Sequence, residues 1–371
     1  MSVNYRKLGD YIEVLNRRNT DLKLGLDSVR GISNTKQITE TSKATVDESV
    51  ISKFYVINPG EFVYNPRTTR MGDKVGLAFN NTDKPLLFTF NNLAFRIKDS
   101  AKDKLLPDYL YLFFCRSEFD RYARINSWGS ATELFLFEDL CNIKFAVPDL
   151  KEQKKIVNTY NAITKRIQLK QKINENLEKT AQCLFDKTIA QKEKNGKLND
   201  IATITMGQSP DGDSYNENGN GEVFYQGKSD FGNRFVSERV FTTAPTRIAN
   251  PNDILLSVRA PVGVINITQK KCCIGRGLAA ISSKNKQNSF LFYTLKSLSP
   301  AFEIFNDEGT VFGSINREGL EHLEIVIPDD NEITEFEKYA SKIDKEIENN
   351  EIEISKLQKI KKLLISGISK R

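Results

Sequence analysis

Two stretches of the chain place apolar residues alternately three and four residues apart. The first follows Pro148 and the second follows Pro328. Such a heptad pattern predicts a long helix that buries one stripe of side chains, here called its seam, against a second helix. Polar residues interrupt both seams, Lys170 and Asn174 in the first and Asn350 in the second. The apolar seam positions are Ile156, Tyr160, Ile163, Ile167, Leu177, Ala181 and Leu184 in the first helix, and Phe336, Ala340, Ile343, Ile347, Ile354, Leu357, Leu364 and Ile368 in the second.

The starts of both helices are marked by capping residues. Asp149 with Glu152, and Asp329 with Glu332, have the spacing of a capping box after a proline. Each helix is about 54 Å long at 1.5 Å per residue. The linker Gln191–Gly196 spans at most about 20 Å, too little to return along a helix. An antiparallel pair is therefore favoured.

The charge pattern counts against this pairing. From Lys151 to Lys172 the first helix has seven basic residues and one acidic residue. The second helix is acidic in its first part and basic in its last part, so antiparallel pairing sets basic residues against basic residues. We give chain connectivity more weight, because most of these side chains can lie off the seam.

Outside the two helices, short β-rich runs alternate with turn signals. Phe54–Ile57 and Phe62–Tyr64 flank an Asn-Pro-Gly turn, and Ile254–Val258 follows an Asn-Pro-Asn-Asp turn. Helices are predicted over Pro107–Arg124 and Asn288–Phe305. The fold class is therefore α+β.

The chain is an internal repeat. The segment 7–10 recurs at 197–200, 58–62 at 250–254 and 135–149 at 315–329, in the same order. This register also superimposes Arg67 on Arg259. We predict two tandem globular domains separated by two long helices that form an antiparallel coiled coil, with pseudo-two-fold symmetry. The predicted segments are domain 1 (1–149), the first helix (150–190), a linker (191–196), domain 2 (197–329) and the second helix (330–371).

Composition narrows the class of protein. There are 54 Lys and Arg residues against 48 Asp and Glu, a net charge of +6. No apolar run suits a signal peptide or a membrane span, so we expect a soluble cytoplasmic chain. The 5 cysteines lack CxxC spacing, which favours buried free thiols in a reducing compartment. Because His322 is the one histidine, we expect no zinc site, and we expect His322 to have a structural role.

Signatures of several enzymes are missing. The Asn-Pro pairs at 58, 65 and 250 lack the second proline and the aromatic ring of an adenine methyltransferase motif. Pro148-Asp149 and Glu152-Gln153-Lys154 are similar to nuclease elements, but helix capping explains them. The phosphate-binding pattern GxxxxGK[ST] does not occur. A self-contained methyltransferase, nuclease or ATPase is disfavoured.

The duplicated order of motifs resembles the specificity subunit of type I restriction-modification systems, over essentially the whole chain. The first copy departs from it by having Asn16-Arg17-Arg18-Asn19 in place of GxSP, and the second helix by having Glu332-Ile333 in place of Glu-Gln. The matching residues are Met206-Gly207-Gln208-Ser209-Pro210, Asp253-Ile254-Leu255-Leu256, Gly309-Thr310 and Ile327-Pro328 in the second copy, and Gly60-Glu61-Phe62-Val63-Tyr64-Asn65, Gly129-Ser130 and Val147-Pro148 with Glu152-Gln153-Lys154-Lys155-Ile156 in the first.

The resemblance implies a non-catalytic subunit that binds double-stranded DNA. Each target recognition domain would recognise one half of a bipartite, asymmetric sequence, while the helices set the spacer and dock two modification subunits. Those subunits would methylate adenine with S-adenosylmethionine, and restriction subunits, where present, would use ATP and Mg²⁺. This chain itself would hold no cofactor and no metal.

Residues that contact DNA should be polar or cationic side chains on loops, with the tryptophan a further candidate. The candidates in domain 1 are Asn65, Arg67, Arg70, Lys74, Ser127, Trp128 and Ser130. Those in domain 2 are Gln208, Ser209, Tyr225, Gln226, Lys228, Arg259, Arg276, Ser314 and Asn316.

A second hypothesis is a coiled-coil scaffold that joins protein partners without binding DNA. The two hypotheses differ in salt dependence, because DNA affinity falls steeply as salt rises. The overall charge does not decide between them. The stretch Lys151–Lys194 alone carries a net charge of +6, and 1–150 together with 195–330 carries −1.

Overall fold

The structure is a computed structural model that describes residues 5–41, 48–68, 74–128, 133–307 and 313–368. The chain divides into two compact units, each of which is described by itself. Unit 1 comprises 1–169 and 353–371, and unit 2 comprises 170–352. Each unit therefore contains one half of each long helix. The domain boundaries given above stay predictions.

Unit 1 has an antiparallel sheet beside several helices. The strands of its described part are β1 (Tyr5–Lys7), β2 (Ile12–Leu15), β3 (Arg30–Ile32), β4 (Ile38–Glu40), β5 (Tyr55–Ile57), β6 (Phe62–Tyr64), β7 (Leu77–Phe79), β8 (Leu86–Phe88), β9 (Leu93–Ile97) and β10 (Lys144–Ala146). The helices are α1 (Pro107–Phe114), α2 (Ser117–Ile125), α3 (Phe137–Cys141) and α4 (Leu150–Ile189), which continues into unit 2. Four strands form the main sheet in the order β2, β9, β6, β7, and β1–β10, β3–β4 and β5–β8 form pairs.

Unit 2 repeats this plan and adds a second sheet. The strands are β11 (Gly196–Lys197), β12 (Ala202–Met206), β13 (Tyr215–Asn216), β14 (Glu222–Tyr225), β15 (Val240–Thr242), β16 (Ile248–Ala249), β17 (Ile254–Ser257), β18 (Ile265–Ile267), β19 (Cys272–Ile274), β20 (Leu278–Ser283) and β21 (Glu324–Ile325). The helices are α5 (Leu198–Ile201), α6 (Asn288–Ser297), α7 (Ser299–Asp307), α8 (Arg317–Glu321) and α9 (Asp330–Gly367). In its described part, one sheet has the order β12, β20, β17, β18 and the other β13, β15, β14, β19, β16, while β11 pairs with β21.

The matched strand orders confirm the internal repeat and the α+β class. The order β2, β9, β6, β7 in unit 1 corresponds to β12, β20, β17, β18 in unit 2. Individual hydrogen bonds repeat as well. The amide of Leu8 donates to the carbonyl of Ile143 at 2.8 Å, and Leu198 donates to Leu323 at 2.9 Å.

Two predicted helices are broken in the middle. The helix predicted over Pro107–Arg124 is α1 followed by α2, because Arg116 has an extended backbone with ψ of 144°. The resulting corner lets Phe119 pack on Phe114, with ring centroids 4.8 Å apart. In unit 2 the break lies at Leu298, just before Pro300, whose ring disfavours a continuous helix.

The long helices complete the core of each unit. In unit 1 Val157 of α4 and Ile368, just beyond α9, join the same core cluster, and the Tyr109 hydroxyl donates to the carbonyl of Ile368 at 3.3 Å. In unit 2 Phe185 of α4 and Phe336 of α9 pack edge to face, with centroids 5.8 Å apart. Both long helices thus contribute side chains to the cores of the globular parts, and on α4 these include Val157 and Phe185, which lie beside the predicted seam positions.

The two helices run antiparallel within each unit, as predicted. In unit 1 Arg166 contacts Glu353 at 2.5 Å, whereas Val157, earlier on α4, shares a core cluster with Ile368, just beyond the end of α9. Residue numbers therefore fall along α4 as they rise along α9. In unit 2 Lys192 contacts Glu332 at 2.8 Å, while Asn174 contacts Asn350. Two of the basic residues behind the charge objection have acidic or amide partners on α9, since Arg166 contacts Glu353 and Lys170 contacts Asn350.

The polar interruptions of the two seams contact each other in unit 2. The amide nitrogen of Asn350 donates to the Asn174 carbonyl oxygen at 2.7 Å, and Lys170 Nζ donates to the Asn350 carbonyl oxygen at 2.7 Å. Asn174 Nδ2 also donates to Glu351 at 2.9 Å. Both asparagines are buried. A shifted register would leave these amides without partners, so they specify the pairing.

Both capping residues occupy their predicted places. The amide of Glu152 donates to Asp149 Oδ1 at 2.8 Å, and that of Glu332 donates to Asp329 Oδ1 at 2.9 Å. The Glu332 carboxylate returns a bond to the amide of Asp329 at 3.1 Å. These bonds confirm the helix starts.

The cysteines are free thiols, as expected, but the expectation that they are all buried was wrong. Cys272 and Cys273 are buried, Cys115 and Cys141 are half-buried, and Cys183 is exposed on α4. Burial raises the pKa of Cys115 and of Cys272 to about 11, which makes both poor nucleophiles at neutral pH.

Among the described residues, no cluster of His, Cys, Asp and Glu could hold a metal ion. None of the described helices has the length and apolar character needed to span a bilayer.

The buried asparagine pair yields a stability prediction. Asn350→Leu removes the donor to the buried side-chain carbonyl oxygen of Asn174, and should lower the free energy of unfolding by about 1 to 3 kcal/mol. The double substitution of both asparagines by Leu should recover most of that loss, since an apolar pair suits the seam. Urea unfolding measures both. Asn349→Leu, on the exposed face of α9, is the control. A single variant as stable as the parent protein would contradict the role of the pair.

Candidate nucleic-acid interface

The candidates of unit 1 converge on a short ribbon, here called the first ribbon, formed by 66–68, 133–135 and Trp128. The amide of Thr68 donates to the carbonyl of Glu133 at 3.1 Å, and Phe135 donates to Pro66 at 2.8 Å. Trp128 and Leu134 exchange two bonds of 3.2 and 3.0 Å. The segment 133–135 therefore lies between the other two.

Three side chains form one row across this ribbon. Leu134 pairs with Arg67 on one side and with Trp128 on the other. Residues directly opposite in antiparallel segments project from the same face. Phe135, next along the chain, is buried in the core and so marks the opposite, inner face. Arg67 and Trp128, two separate sequence candidates, thus share the outer face of the first ribbon.

The other candidates of unit 1 have different positions. Asn65 Oδ1 accepts the amide of Arg67 at 3.0 Å and so shapes the backbone beside it. Lys74 is exposed. Ser127 is buried, and its hydroxyl donates to the carbonyl of Ala123 at 2.6 Å, so we do not carry it into the interface. Arg70 and Ser130 lie outside the described residues, as do the motifs at 129–130 and 309–310.

Unit 2 builds the same backbone arrangement at the equivalent place. Arg259 pairs with Ser314, as Arg67 pairs with Leu134. The amide of Ile315 donates to Val258 at 3.0 Å, matching the bond from Phe135 to Pro66. The predicted superposition of Arg67 on Arg259 is therefore confirmed at the level of individual hydrogen bonds.

Next to this pair, strand ends bring together the other candidates of unit 2. Strands β14 and β19 are parallel, so their carboxyl ends lie at one edge, where Gln226 and Arg276 follow. The backbone amide of Gln208 donates to the carbonyl of Ile274 at 3.0 Å, and the backbone amide of Arg276 donates to Ser209 Oγ at 3.2 Å.

The same edge continues to the arginine pair. The amide of Val258 donates to the carbonyl of Gly277 at 2.9 Å, which sets the loop of Arg276 beside that of Arg259. We call this assembly the polar edge; its members are Gln208, Ser209, Gln226, Arg259, Arg276 and Ser314.

Three candidates of unit 2 contribute less directly. Tyr225 is 2% exposed, and burial raises the pKa of its hydroxyl above the usual range, so the structure places it in the core of unit 2. Asn316 caps α8, with its side chain accepting the amide of Gly319 at 2.8 Å. Lys228 is exposed at the start of a short 3₁₀ turn.

The structure adds two residues that the sequence analysis missed. Asp230 is buried and accepts the amide of Gln226 at 2.9 Å and Nη2 of Arg239 at 3.1 Å. These three residues, with Tyr215 and Phe224, line a cleft of about 330 Å³. No periodicity or motif links Asp230 to Arg239, because the loop between them brings them together only after folding.

The departures from the family pattern have structural explanations. In the segment that replaces GxSP, Arg17 forms two bonds of 2.8 and 2.9 Å to Glu61, and Asn19 is buried. On α4 the buried Gln153 accepts the amide of Leu106 at 2.8 Å, whereas Ile333 on α9 is part of an apolar core. The start of α4 is thus held by a side-chain hydrogen bond in unit 1, whereas the start of α9 is held by apolar packing in unit 2.

The duplicated α+β units define a two-domain chain whose equivalent loops carry different polar and apolar groups. A sequence model of the type I restriction modification DNA specificity domain matches residues 2–179 and 191–362. The chain belongs to this family, whose specificity subunits are non-catalytic, and it contains two copies of the domain.

Relatives with this description are found by sequence and by structure. The putative type I restriction enzyme MjaX specificity subunit of Methanocaldococcus jannaschii is 35% identical over 257 residues, 62% of this chain and 60% of that protein. The MjaIX specificity subunit of the same organism is 23% identical over 71% of this chain and 68% of its own length. The fold is similar to a type I restriction-modification S subunit from M. genitalium, with a TM-score of 0.63, 14% identity and coverage of 99% and 96% of the two chains.

Two glycines next to members of the polar edge, Gly207 and Gly227, give a matched prediction. A Cβ at Gly207 would lie 2.1 Å from the carbonyl oxygen of Gly275, whereas one at Gly227 would meet nothing within 4 Å. Gly207→Ala should therefore push the two loops apart and lower the free energy of unfolding by about 1 to 3 kcal/mol. Gly227→Ala, with an extended backbone, should be neutral. Equal effects of both substitutions in urea unfolding would contradict the close approach.

Proposed function

We propose that this chain is the DNA-recognising specificity subunit of a type I restriction-modification complex. Unit 1 recognises one half of a bipartite sequence and unit 2 the other. One observation carries the proposal: Arg67 and Arg259 occupy the same hydrogen-bonded position, but Leu134 lies beside the first and Ser314 beside the second. Equal frameworks with different side chains suit two different half-sites.

The side chains of the polar edge fit the chemistry of base edges. Arginine donates two hydrogen bonds to guanine, and glutamine can both donate to and accept from adenine. Arg276, Gln208 and Gln226 come from separate loops, so they can contact successive bases. Their backbone amides are held by hydrogen bonds, from Gln208 to the carbonyl of Ile274, from Arg276 to Ser209 Oγ and from Gln226 to Asp230 Oδ2. These bonds limit the entropy lost on binding.

The partners and cofactors follow from the same proposal. Two modification subunits that hold S-adenosylmethionine methylate adenine in the recognised sequence, and restriction subunits, where present, use ATP and Mg²⁺. This chain binds none of these cofactors and works in the cytoplasm, where the DNA is. Support comes from the two relatives, both described as specificity subunits of type I restriction enzymes.

The proposal is tested by mapping methylated adenines. Cells that express this chain with its modification subunit should carry methylation at one bipartite sequence. Arg67→Ala should relax recognition in one half-site and Arg259→Ala in the other, each reducing affinity for the target duplex by about 1 to 3 kcal/mol. Sequencing of methylated DNA and duplex binding at several salt concentrations measure both effects.

The control for these variants is Arg6→Ala, which removes an exposed arginine beside the start of α4. It should leave both half-sites unchanged. Absence of salt-dependent duplex binding by the complex would refute DNA recognition and favour the scaffold hypothesis. A change of both half-sites by either variant would refute the assignment of one half-site to each unit.

A further inference from the structure

An apolar patch lies on unit 1 beside the first ribbon. Ile125 is 75% exposed, Trp128 is 72% exposed and Leu136 is 47% exposed. Ile125 ends α2, three residues before Trp128, and Leu136 follows Leu134, the partner of Trp128 in the ribbon. These three side chains are called the apolar patch.

The fold of unit 1 does not account for this exposure. Phe119 and Phe135, close in the chain to the patch, are buried in the core. Single exposed apolar residues are common on protein surfaces, but grouped large ones mark interaction sites. Trp128 is the one tryptophan of the chain, and leaving an indole in water forgoes about 2 kcal/mol or more of burial. A ligand surface explains why the patch faces outwards.

Two positions on the outer face of the first ribbon and just after it are polar in unit 2. Leu134 corresponds to Ser314, and Leu136, the residue before α3, corresponds to Asn316, the residue before α8. The arginine of the pair is present in both units. Leucine at these two positions is therefore not a requirement of the shared framework, and it distinguishes the chemistry of the first half-site from that of the second.

We infer that the apolar patch contacts the 5-methyl groups of thymine in the first half-site. This inference rests on the proposed function and adds the base chemistry of one half-site to it. In the major groove the thymine methyl is the apolar group that base edges present, whereas phosphates and the other base edges need polar partners. Arg67, on the same face as Trp128, supplies the neighbouring cationic contact. The first half-site therefore contains thymine next to the base or phosphate that Arg67 binds.

Uracil provides the decisive probe, because it keeps the hydrogen bonds of thymine and lacks its methyl group. Target duplexes are compared in which the thymines of one half-site are replaced by uracil, using the complex of this chain with its modification subunit. Replacement in the first half-site should weaken binding about fivefold or more. The same replacement in the second half-site is the matched control and should have a smaller effect.

Variants assign that loss to the patch. Trp128→Ala should weaken binding to the thymine duplex and abolish the difference in affinity between the thymine and uracil duplexes. Trp128→Phe should retain most of that difference. Leu136→Asn, which introduces the residue of unit 2, should reduce the difference without unfolding risk, since Leu136 is exposed. Melting temperatures of the variants report folding independently.

The possible failures are distinguishable. If the complex binds no specific duplex, the proposed function fails. If it binds and methylates a bipartite target but the first half-site lacks thymine, or uracil has no effect there, the thymine inference fails alone. If Trp128→Ala binds DNA normally but loses the modification subunit, the patch is a protein-docking surface and the inference is overturned.

Discussion

The pairing of α4 with α9 is the constraint on which the rest of the structure depends. Neither globular part has a complete core without both helices, since Ile368 closes the core of unit 1 and Phe185 that of unit 2. The two helices must therefore pair in one register, and an apolar seam tolerates sliding by a heptad. The buried contact of Asn174 with Asn350 removes that freedom, because any shift leaves amides unsatisfied. The buried asparagine pair stabilises the seam less than an apolar pair would, but it specifies a single alignment of the two helices.

A shared backbone framework with variable side chains follows from the repeat. The pairing of Arg67 with Leu134 and that of Arg259 with Ser314 rest on main-chain hydrogen bonds, which do not depend on side-chain identity. Such a framework allows the outward row to change without refolding the domain. The inward neighbours are restricted to bulky apolar residues, Phe135 in one unit and Ile315 in the other. If the proposed function holds, recognition and stability are therefore placed on opposite faces of the same short segments.

Much of this fold could be predicted from sequence because its signals are local or periodic. The heptads, the capping residues and the repeat register require only neighbouring positions or a constant spacing. The break at Arg116 was missed because no proline or glycine marks it, and the break at Leu298 was missed although Pro300 follows it. The burial of Tyr225 was missed because its strand pairs with β19, about fifty residues later in the chain. The contact between Asp230 and Arg239 likewise depends on how a loop folds. Long-range packing thus decided which polar candidates reach the surface.

Under the proposed function, the distribution of charge separates attraction to DNA from recognition of its sequence. The residues 1–150 and 195–330 carry a net charge of −1, so they gain little from releasing counterions around phosphates. The basic stretch Lys151–Lys194 can supply that attraction, and its contribution weakens as salt rises. Apolar contacts by Trp128 release no counterions, so their free energy is nearly independent of salt. On the inferred thymine contact, a chain with weakly charged recognition surfaces therefore benefits from an apolar patch, which would add affinity that depends on base identity and persists at physiological ionic strength.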